Sequence, residues 1–190
     1  MKRRREPART NPGELLKKAA VALTLPATAK IWQDLVSLLG TSLTVDWAFL
    51  AEIKPGEKPI AQTLAAWHRG NLIPTVEYPF ERLPEDDPFS RDICWYPSAA
   101  HKRLPNAWLK QVRAEGFGRA SLFDSLGRLR GLLVIAHSQP LQGLDRIEAL
   151  VRIIAFRAAA DLERLLPDEH FYKELLEDAR VSRPRESRLP

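Results

Sequence analysis

The clearest pattern of apolar and polar positions covers residues 115–137, which read E-G-F-G-R-A-S-L-F-D-S-L-G-R-L-R-G-L-L-V-I-A-H. Apolar residues alternate along both halves, which predicts two β-strands joined by a turn at residues 124–127. On the first strand, Phe117 and Arg119 face one side and Leu122 faces the other. Because both sides carry apolar residues, we expect this hairpin at the centre of a sheet, with helices covering at least one face.

Three other stretches have apolar residues at intervals of three and four, which is the spacing of an amphipathic helix. We expect helices over residues 13–23, 27–39 and 143–166. The second ends at Gly40, a residue suited to the left-handed conformation that closes many helices. The third is long and follows the central hairpin directly.

The first half of the middle region predicts strands separated by loops. Residues 44–53 and 60–68 are rich in β-branched and aromatic residues, and they predict a hairpin around a loop that contains Pro and Gly. Residues 72–80 form a further extended run. Pro74 lies within that run, which favours either a position at the edge of the sheet or a bulge.

The second half of the middle region is less regular. Residues 81–92 consist largely of turn-forming types and predict a loop, whereas residues 93–96 predict a short strand. A helix of about three turns is expected over residues 105–116, because Pro stands where a helix can begin and Gly where it can end. Pro167 interrupts the long helix, and residues 167–181 predict an extra one.

Length and composition fit one domain with flanking tails. The chain has 190 residues and is 45% hydrophobic, which is enough for one packed core. We expect a single domain over residues 13–166, an extra C-terminal helix over residues 167–181, and disordered tails over residues 1–12 and 182–190. The prolines concentrate between positions 55 and 105, so a functional surface is expected on that loop-rich part.

The net charge of +5 belongs to the two ends of the chain. Residues 1–9 contribute +4 and residues 182–190 contribute +2, which leaves −1 for everything between them. The body therefore has no excess positive charge to hold a phosphate backbone, and we expect no nucleic-acid partner. The basic run at the start could contact nucleic acid or anionic lipid, but short basic termini are more often solvated.

Targeting and redox signals are sparse. No apolar run reaches the roughly 18 residues of a membrane-spanning helix, and no signal peptide is evident, so we expect a cytoplasmic protein that does not bind membranes. The single cysteine, Cys94, rules out an intrachain disulfide and agrees with a reducing compartment. The four histidines lie far apart and no catalytic motif is present, so we expect no metal, no cofactor and no enzyme activity.

The predicted order of elements is helix, hairpin, irregular middle, hairpin, long helix. Six stretches carry a further resemblance, and they cover residues 37–53, 61–70, 77–80, 93–97, 122–137 and 153–164. The D-S-L-G turn of the fifth and the helix end I-I-A-F-R-A-A-A-D-L-E-R of the sixth are the most specific. Together these stretches resemble the GAF domain family, as found in bacterial sensory proteins, over roughly residues 31–166.

This resemblance implies an α+β fold of the GAF/PAS type. It consists of a central antiparallel sheet of about six strands, with the terminal helices on one face and loops and short helices on the other. In members that bind ligands, a small-molecule pocket lies beneath those loops. The family's domains are regulatory, and their terminal helices often pair between subunits.

Seven residues are candidates for lining such a pocket. Aromatic side chains would form its walls and an arginine would supply its polar group. The alternative is that the aromatic residues simply fill the core between sheet and loops. Cys94 could attach a chromophore or act as a catalytic thiol, but we interpret it as a small buried hydrophobic residue. The seven candidates are Trp67, Arg69, Tyr78, Phe80, Trp95, Phe117 and Arg119.

The long helix is a candidate for pairing with a second copy of the chain. Its apolar stripe is wider than one sheet face requires, and its alanines would allow another helix to approach closely. We expect a homodimer in which this helix and the one over residues 27–39 form a bundle between subunits. The expected interface residues are Ile31, Leu35, Ile154, Ala158, Leu162 and Leu165.

These observations lead to two hypotheses about function. The first is a stand-alone, non-catalytic sensor or regulatory domain in signal transduction, which binds a small molecule, a partner protein or both. The second is a structural dimerisation or adaptor module without a ligand. An enzyme is a distant third.

Overall fold

The computed structural model describes residues 12–28, 30–80 and 93–166, and within these ranges the chain forms five helices and seven strands. The predicted loop over residues 81–92, the helix over residues 167–181 and almost all of the two tails lie outside the described residues. In chain order the elements are α1 (Pro12–Thr24), α2 (Ile31–Leu43), β1 (Trp47–Lys54), β2 (Ile60–His68), β3 (Asn71–Ile73), β4 (Glu77–Pro79), β5 (Ile93–Tyr96), α3 (Ala100–Arg103), α4 (Ala107–Gln111), β6 (Gly116–Phe123), β7 (Leu129–His137) and α5 (Leu144–Leu165).

All seven strands belong to one antiparallel sheet. Their order is β3-β2-β1-β7-β6-β5, and β4 pairs with β2 along the same edge as β3. The predicted β1–β2 and β6–β7 hairpins are confirmed, and β7 lies beside β1 in the middle of the sheet. Pro74 falls between β3 and β4 at the sheet edge, which is where a residue without a backbone N–H is tolerated. The predicted α+β fold is confirmed.

The terminal helices α1, α2 and α5 cover one face of the sheet, called here the helix face. Its core includes side chains of α2, α5 and β7 that are at most 2% exposed, among them Leu35, Leu39, Leu150, Ile154 and Ile135. Burying each such side chain stabilises the fold by about 1.5–3 kcal/mol. These apolar positions are the ones whose spacing predicts the helices, and together they explain why the helices pack where they do.

Arg157 of α5 connects α5 to the end of α1 through hydrogen bonds. Its guanidinium donates to the carbonyl oxygens of Leu23 at 2.7 Å and Leu25 at 2.6 Å, where α1 ends. The last carbonyls of a helix have no partner within the helix, so these bonds satisfy groups that would otherwise need water. Asp161 is 3% exposed and accepts a hydrogen bond from Arg157 Nε at 2.7 Å, which neutralises the arginine.

A bulge in β2 changes which residues face which side. Leu50 of β1 pairs with Ala65 and the next residue, Ala51, pairs with Thr63, so Leu64 is the extra residue. In a regular strand Thr63 and Ala66, three positions apart, would point to opposite faces. The bulge shifts the alternation by one, and both residues lie on the face opposite the helices.

The helix over residues 27–39 is shifted along the chain from its predicted position, and the predicted cap at Gly40 is wrong. The observed helix α2 continues through Gly40, and the left-handed residue at its end is Thr44, with φ of 54°. Gly40 has a packing role instead. A Cβ atom at this position would lie 2.3 Å from the Trp67 ring, which is closer than atoms can approach.

The predicted three-turn helix over residues 105–116 is also wrong in length. The observed helix α4 spans five residues, with Asn106 as its cap, and a second short helix, α3, precedes it. The chain leaves the helix at Arg113, which adopts a left-handed conformation with φ of 51°. The N–H of Ala114 still donates to Leu109 at 3.0 Å, so the apolar residues remain inward although the helix has ended.

Candidate functional site

A cavity of about 490 Å³ lies on the face of the sheet opposite the helices, called here the cavity face. Strands β1, β6 and β7 form its floor. Strand β4, residues 73–76 and residues 104–109 form its walls. Its volume is within the roughly 300–1,000 Å³ of small-molecule sites in proteins. The cavity therefore occurs where the family resemblance implies a pocket.

Aromatic side chains dominate the described lining. Phe49 meets Tyr78 and Trp108 edge to face, with ring centroids 6.2 and 5.5 Å apart. Trp47 also meets Trp108 edge to face, at 5.6 Å. Each such pair contributes about 0.5–1.5 kcal/mol beyond burial alone, so the rings hold one another in place. The six aromatic lining residues are Trp47, Phe49, Tyr78, Phe80, Trp108 and Phe117.

Two polar side chains of the lining maintain the walls. Thr63 Oγ1 donates to the carbonyl oxygen of Val76 at 3.0 Å and accepts from the N–H of Val76 at 2.6 Å. This pair of bonds ties β2 to the chain between β3 and β4. Asn106 Oδ1 accepts from the N–H of Leu109 at 3.0 Å and so caps α4. The first contact holds a wall segment against the sheet, and the second closes the start of the short helix that forms another wall.

Arg119 brings a positive charge to the cavity. It lies in the middle of β6, opposite Cys94 of β5 and Val134 of β7, and is 9% exposed. Burial raises the pKa of the Tyr78 hydroxyl to about 12, and the positive charge of Arg119 opposes that rise. Tyr78 is therefore a neutral hydroxyl at physiological pH, able both to donate and to accept a hydrogen bond.

The structure brings together four of the seven residues predicted to line a pocket. Tyr78, Phe80, Phe117 and Arg119 all border the cavity, although they come from β4, the residue after it, and β6. Phe117 and Arg119 share a face because they alternate along β6, as the sequence pattern predicts. Whether they contact a ligand stays a prediction.

Trp67 and Trp95 do not belong to the lining, because they lie on the helix face. Trp67 is 5% exposed and packs against Gly40 of α2. Trp95 packs over Gly118 of β6, where a Cβ atom would lie 2.1 Å from its ring, and its Nε1 donates to Glu148 of α5 at 3.1 Å. Each tryptophan occupies the space left by a glycine, and helices cover both.

Arg69 also lies away from the cavity. Its Nε donates to Asp46 at 2.7 Å, at the end of the sheet where β2 turns into β3. The Asp46 carboxylate also accepts from the N–H of Ser138 at 2.7 Å and lies 3.0 Å from Nδ1 of His137. Burial raises the pKa of Asp46. The hydrogen bonds from Arg69 and Ser138 and the charge of His137 lower it by more than burial raises it, so the pKa of Asp46 is below its ordinary value. Arg69 thus belongs to a structural cluster.

Three aromatic residues of the lining are not among the seven predicted candidates. Trp47 and Phe49 alternate with the small or aliphatic residues of β1, so a shared face for the two rings was a usable signal. Trp108 lies within residues 105–116, which predict a helix, and that prediction does not place its side chain at a pocket. It reaches the cavity because α4 is short and lies across the cavity face.

Five of the six residues predicted for a dimer interface are buried within a single chain. Ile31, Leu35, Ile154, Ala158 and Leu162 are at most 1% exposed within a single chain. They are buried because α5 packs against α1, α2, β6 and β7 of its own chain, which accounts for the width of its apolar stripe. These side chains are not available to a second copy. Leu165, the sixth predicted residue, is 37% exposed.

Three other features bear on function: the single cysteine, possible metal ligands and possible membrane-spanning helices. Cys94 is 1% exposed and packs among apolar residues on the cavity face. In the described part of the chain, no three His, Cys, Asp or Glu side chains are grouped so that they could hold a metal ion. Across those same residues, no helix has both the length and the apolar character needed to cross a membrane.

These features define a class: an α+β domain with one antiparallel sheet, terminal helices on one face and an aromatic cavity on the other. Among solved structures, the chain is similar to the phycocyanobilin-bound GAF domain of a cyanobacterial phytochrome, with a TM-score of 0.60 and 15% sequence identity. The match covers 81% of this chain and 94% of that domain. The chain therefore has a GAF-like fold.

Sequence comparison adds nothing to this likeness. No family model matches the chain, and no curated protein matches it either. At 15% identity the structural likeness establishes the fold alone.

Proposed function

We propose that this chain is a non-catalytic sensor or regulatory domain of the GAF type, which binds a small molecule in the cavity and acts in signal transduction through a partner protein. The observation that supports the proposal is the cavity itself, whose volume of about 490 Å³ and aromatic walls match those of small-molecule sites. A structural module has no use for such an opening, because filling it with side chains would stabilise the fold.

Contacts within the chain hold the walls of the cavity in place. Edge-to-face contacts hold Phe49 and Trp108, Thr63 donates a hydrogen bond to the carbonyl of Val76, and Asn106 accepts one from the N–H of Leu109. A cavity whose walls are fixed in advance binds a ligand without a large ordering cost. This supports a binding site over an accidental packing defect.

Native mass spectrometry of the freshly purified full chain tests the proposal. We expect a second mass, heavier by one small molecule, which disappears as collision energy is raised. Ala66→Phe places a ring in the cavity and should abolish the heavier species, whereas Leu72→Phe adds the same ring at an exposed edge-strand position and should retain it. If the bare chain is the sole species, and no small aromatic compound raises the melting temperature, the binding function is wrong.

We also propose that the chain forms a homodimer, through a surface other than the one predicted from the sequence. Phe156 is 75% exposed on α5, and Ala149, Ile153 and Ala160 extend the same side of the helix at helical spacing. A large exposed ring flanked by small residues favours contact with another helix. This surface also supports the alternative function, a dimerisation or adaptor module without a ligand. That alternative predicts a dimer whose cavity remains empty.

A further inference from the structure

We propose that residues 74–76, between β3 and β4, form a gate to the cavity, and that Thr63 of β2 holds this gate closed. The inference rests on the proposed binding function, because a gate matters only if a small molecule enters the cavity. It follows from the hydrogen bonds that join these three residues to the sheet.

The gate lies where the pairing between β2 and its edge strands is interrupted. Strand β3 pairs with residues 66–68 of β2, and β4 pairs with residues 60–62. The gate therefore lies opposite residues 63–65, the part of β2 that contains the bulge at Leu64. Pro74 has no backbone N–H to donate, which agrees with this break in the ladder.

Thr63 makes every hydrogen bond that joins the gate to β2 in the described part of the chain. Its N–H donates to the carbonyl oxygen of Val76 at 2.9 Å, and its hydroxyl donates to the same oxygen at 3.0 Å. The N–H of Val76 donates back to the hydroxyl at 2.6 Å. Thr63 is 4% exposed, so water does not compete for these bonds while the gate is closed.

The other described walls of the cavity are held by larger sets of contacts. Strands β1, β6 and β7 of the floor each pair with a neighbour on both sides. Trp108 of α4 meets the rings of Trp47 and Phe49, and Leu109 of the same helix is 2% exposed. Moving either wall would disrupt the sheet or a packed core, which costs far more than a few hydrogen bonds.

Opening of the gate costs little apolar burial. Its three residues are exposed, and Val76 is 58% exposed. A segment with few buried apolar contacts opens locally at a free energy below that of global unfolding. The bonds to Thr63 therefore hold the gate closed, and its movement opens a path into the cavity that Pro74 and Val76 border.

Labelling of a cysteine in the floor of the cavity tests the gate. The protein is the full chain with Cys94→Ala and Leu132→Cys, so that its one thiol lies at the cavity. The probe is dithiodipyridine, an uncharged aromatic disulfide, whose reaction is followed by the absorbance of the released thiopyridone. We expect Thr63→Val to raise the labelling rate at least about fivefold, because the N–H of Val76 loses its acceptor and the closed gate becomes less stable. Thr63→Ser keeps the hydroxyl and should change the rate less than about twofold.

A second cysteine variant separates opening of the gate from unfolding of the whole chain. Leu133→Cys, in place of Leu132→Cys, puts the thiol on the helix face, where the leucine is 1% exposed. Its labelling should be slower and should rise steeply with urea, whereas labelling of the Leu132→Cys chain should change little below the unfolding transition. An unchanged rate in Thr63→Val, or the same steep urea dependence at both positions, would overturn the gate.

Hydrogen exchange of the unmodified chain decides the question if Thr63→Val does not fold. The N–H groups of Thr63 and Val76 should exchange through an opening that urea hardly affects, and those of β7 only through global unfolding. The same urea dependence for all of them would contradict the gate. None of these measurements needs a ligand. If the chain labels as expected but native mass spectrometry finds it bare, the gate stands and the proposed binding function fails.

Discussion

Both faces of the sheet carry large aromatic residues, but these residues fill space on one face and border a cavity on the other. On the helix face, Trp67 and Trp95 fill spaces left by Gly40 and Gly118, so ring and backbone are in contact. On the cavity face, tryptophan and phenylalanine rings border the cavity of about 490 Å³. The difference lies in the partners of the rings rather than in the rings themselves. On the helix face each tryptophan ring fills the space left by a glycine, whereas on the cavity face the rings contact one another and border a cavity.

The largest expected difference between the faces is in the free energy of unfolding that is lost when either of two neighbouring leucines of β7 is replaced by alanine. Leu133 is 1% exposed on the helix face and Leu132 is 3% exposed at the cavity. We expect Leu133→Ala to lower the free energy of unfolding by about 3–4 kcal/mol, because it opens a void in a packed core. Leu132→Ala should cost about 1–2 kcal/mol, since it enlarges a space that is already present. Urea denaturation measures both, and equal losses would show that the faces are packed alike.

Adding a methyl group at Gly118 tests how closely the helix face is packed. In Gly118→Ala the new Cβ would lie 2.1 Å from the Trp95 ring, which must shift against Glu148 and the helices. We expect a loss of about 1–3 kcal/mol in the free energy of unfolding. Gly56→Ala is the matched control, because its added Cβ meets nothing within 4 Å. A Gly118→Ala chain as stable as the control would contradict the close packing described here.

The cluster of Asp46, Arg69, His137 and Ser138 at one end of the sheet predicts that the stability of the fold depends on pH. The folded-state pKa of Asp46 is below its ordinary value of 3.8, so its contribution to stability is complete above that value and is lost as pH falls through the lower, folded-state pKa. Asp46→Asn should cost about 1–2 kcal/mol at pH 7, because hydrogen bonds to a charged group are weakened. Melting temperatures of the two chains should converge below pH 4. A constant difference at all pH values would contradict the role of the carboxylate charge.

The smallest expected effect on stability lies on the outer side of the helix layer. Phe156 is 75% exposed, so Phe156→Glu should change the free energy of unfolding by less than about 0.5 kcal/mol. Light scattering at micromolar concentration should give a dimer mass for the unmodified chain and a monomer mass for the variant. Leu72→Glu makes the same apolar-to-acidic change at an exposed position on β3, away from α5, and is a control that should remain dimeric. A monomeric unmodified chain would exclude the proposed homodimer.

Much of the fold was predictable because it depends on local periodicity. The alternation over residues 115–137 and the helical spacing over residues 143–166 each correspond to one observed unit, and Pro74 was correctly placed at a sheet edge. Turn chemistry also helped, since the Asp124 carboxylate accepts from the N–H groups of Leu126 at 3.0 Å and Arg128 at 2.8 Å. Such signals lie within a few residues of one another, so the sequence displays them.

The lining of the cavity was only partly predictable, because it depends on which face each strand presents. The bulge at Leu64 reverses the alternation of β2, and nothing in the local sequence marks it. Trp67 and Trp95 were assigned to the pocket because large aromatic residues are common there, but Gly40 and Gly118, distant along the chain, hold them on the helix face. Five of the predicted dimer residues are likewise buried by contacts distant along the sequence, since α5 packs against other elements of its own chain.

The contact between Gly118 and Trp95 has a consequence for how this protein can change over evolutionary time. The two positions share one volume, so a side chain gained at position 118 requires ring volume lost at position 95. The order of the changes then matters. Trp95 must shrink first, through a chain that tolerates a void, because the reverse order passes through a clash. A substitution that looks forbidden in this chain is therefore open to a relative that has already lost the tryptophan.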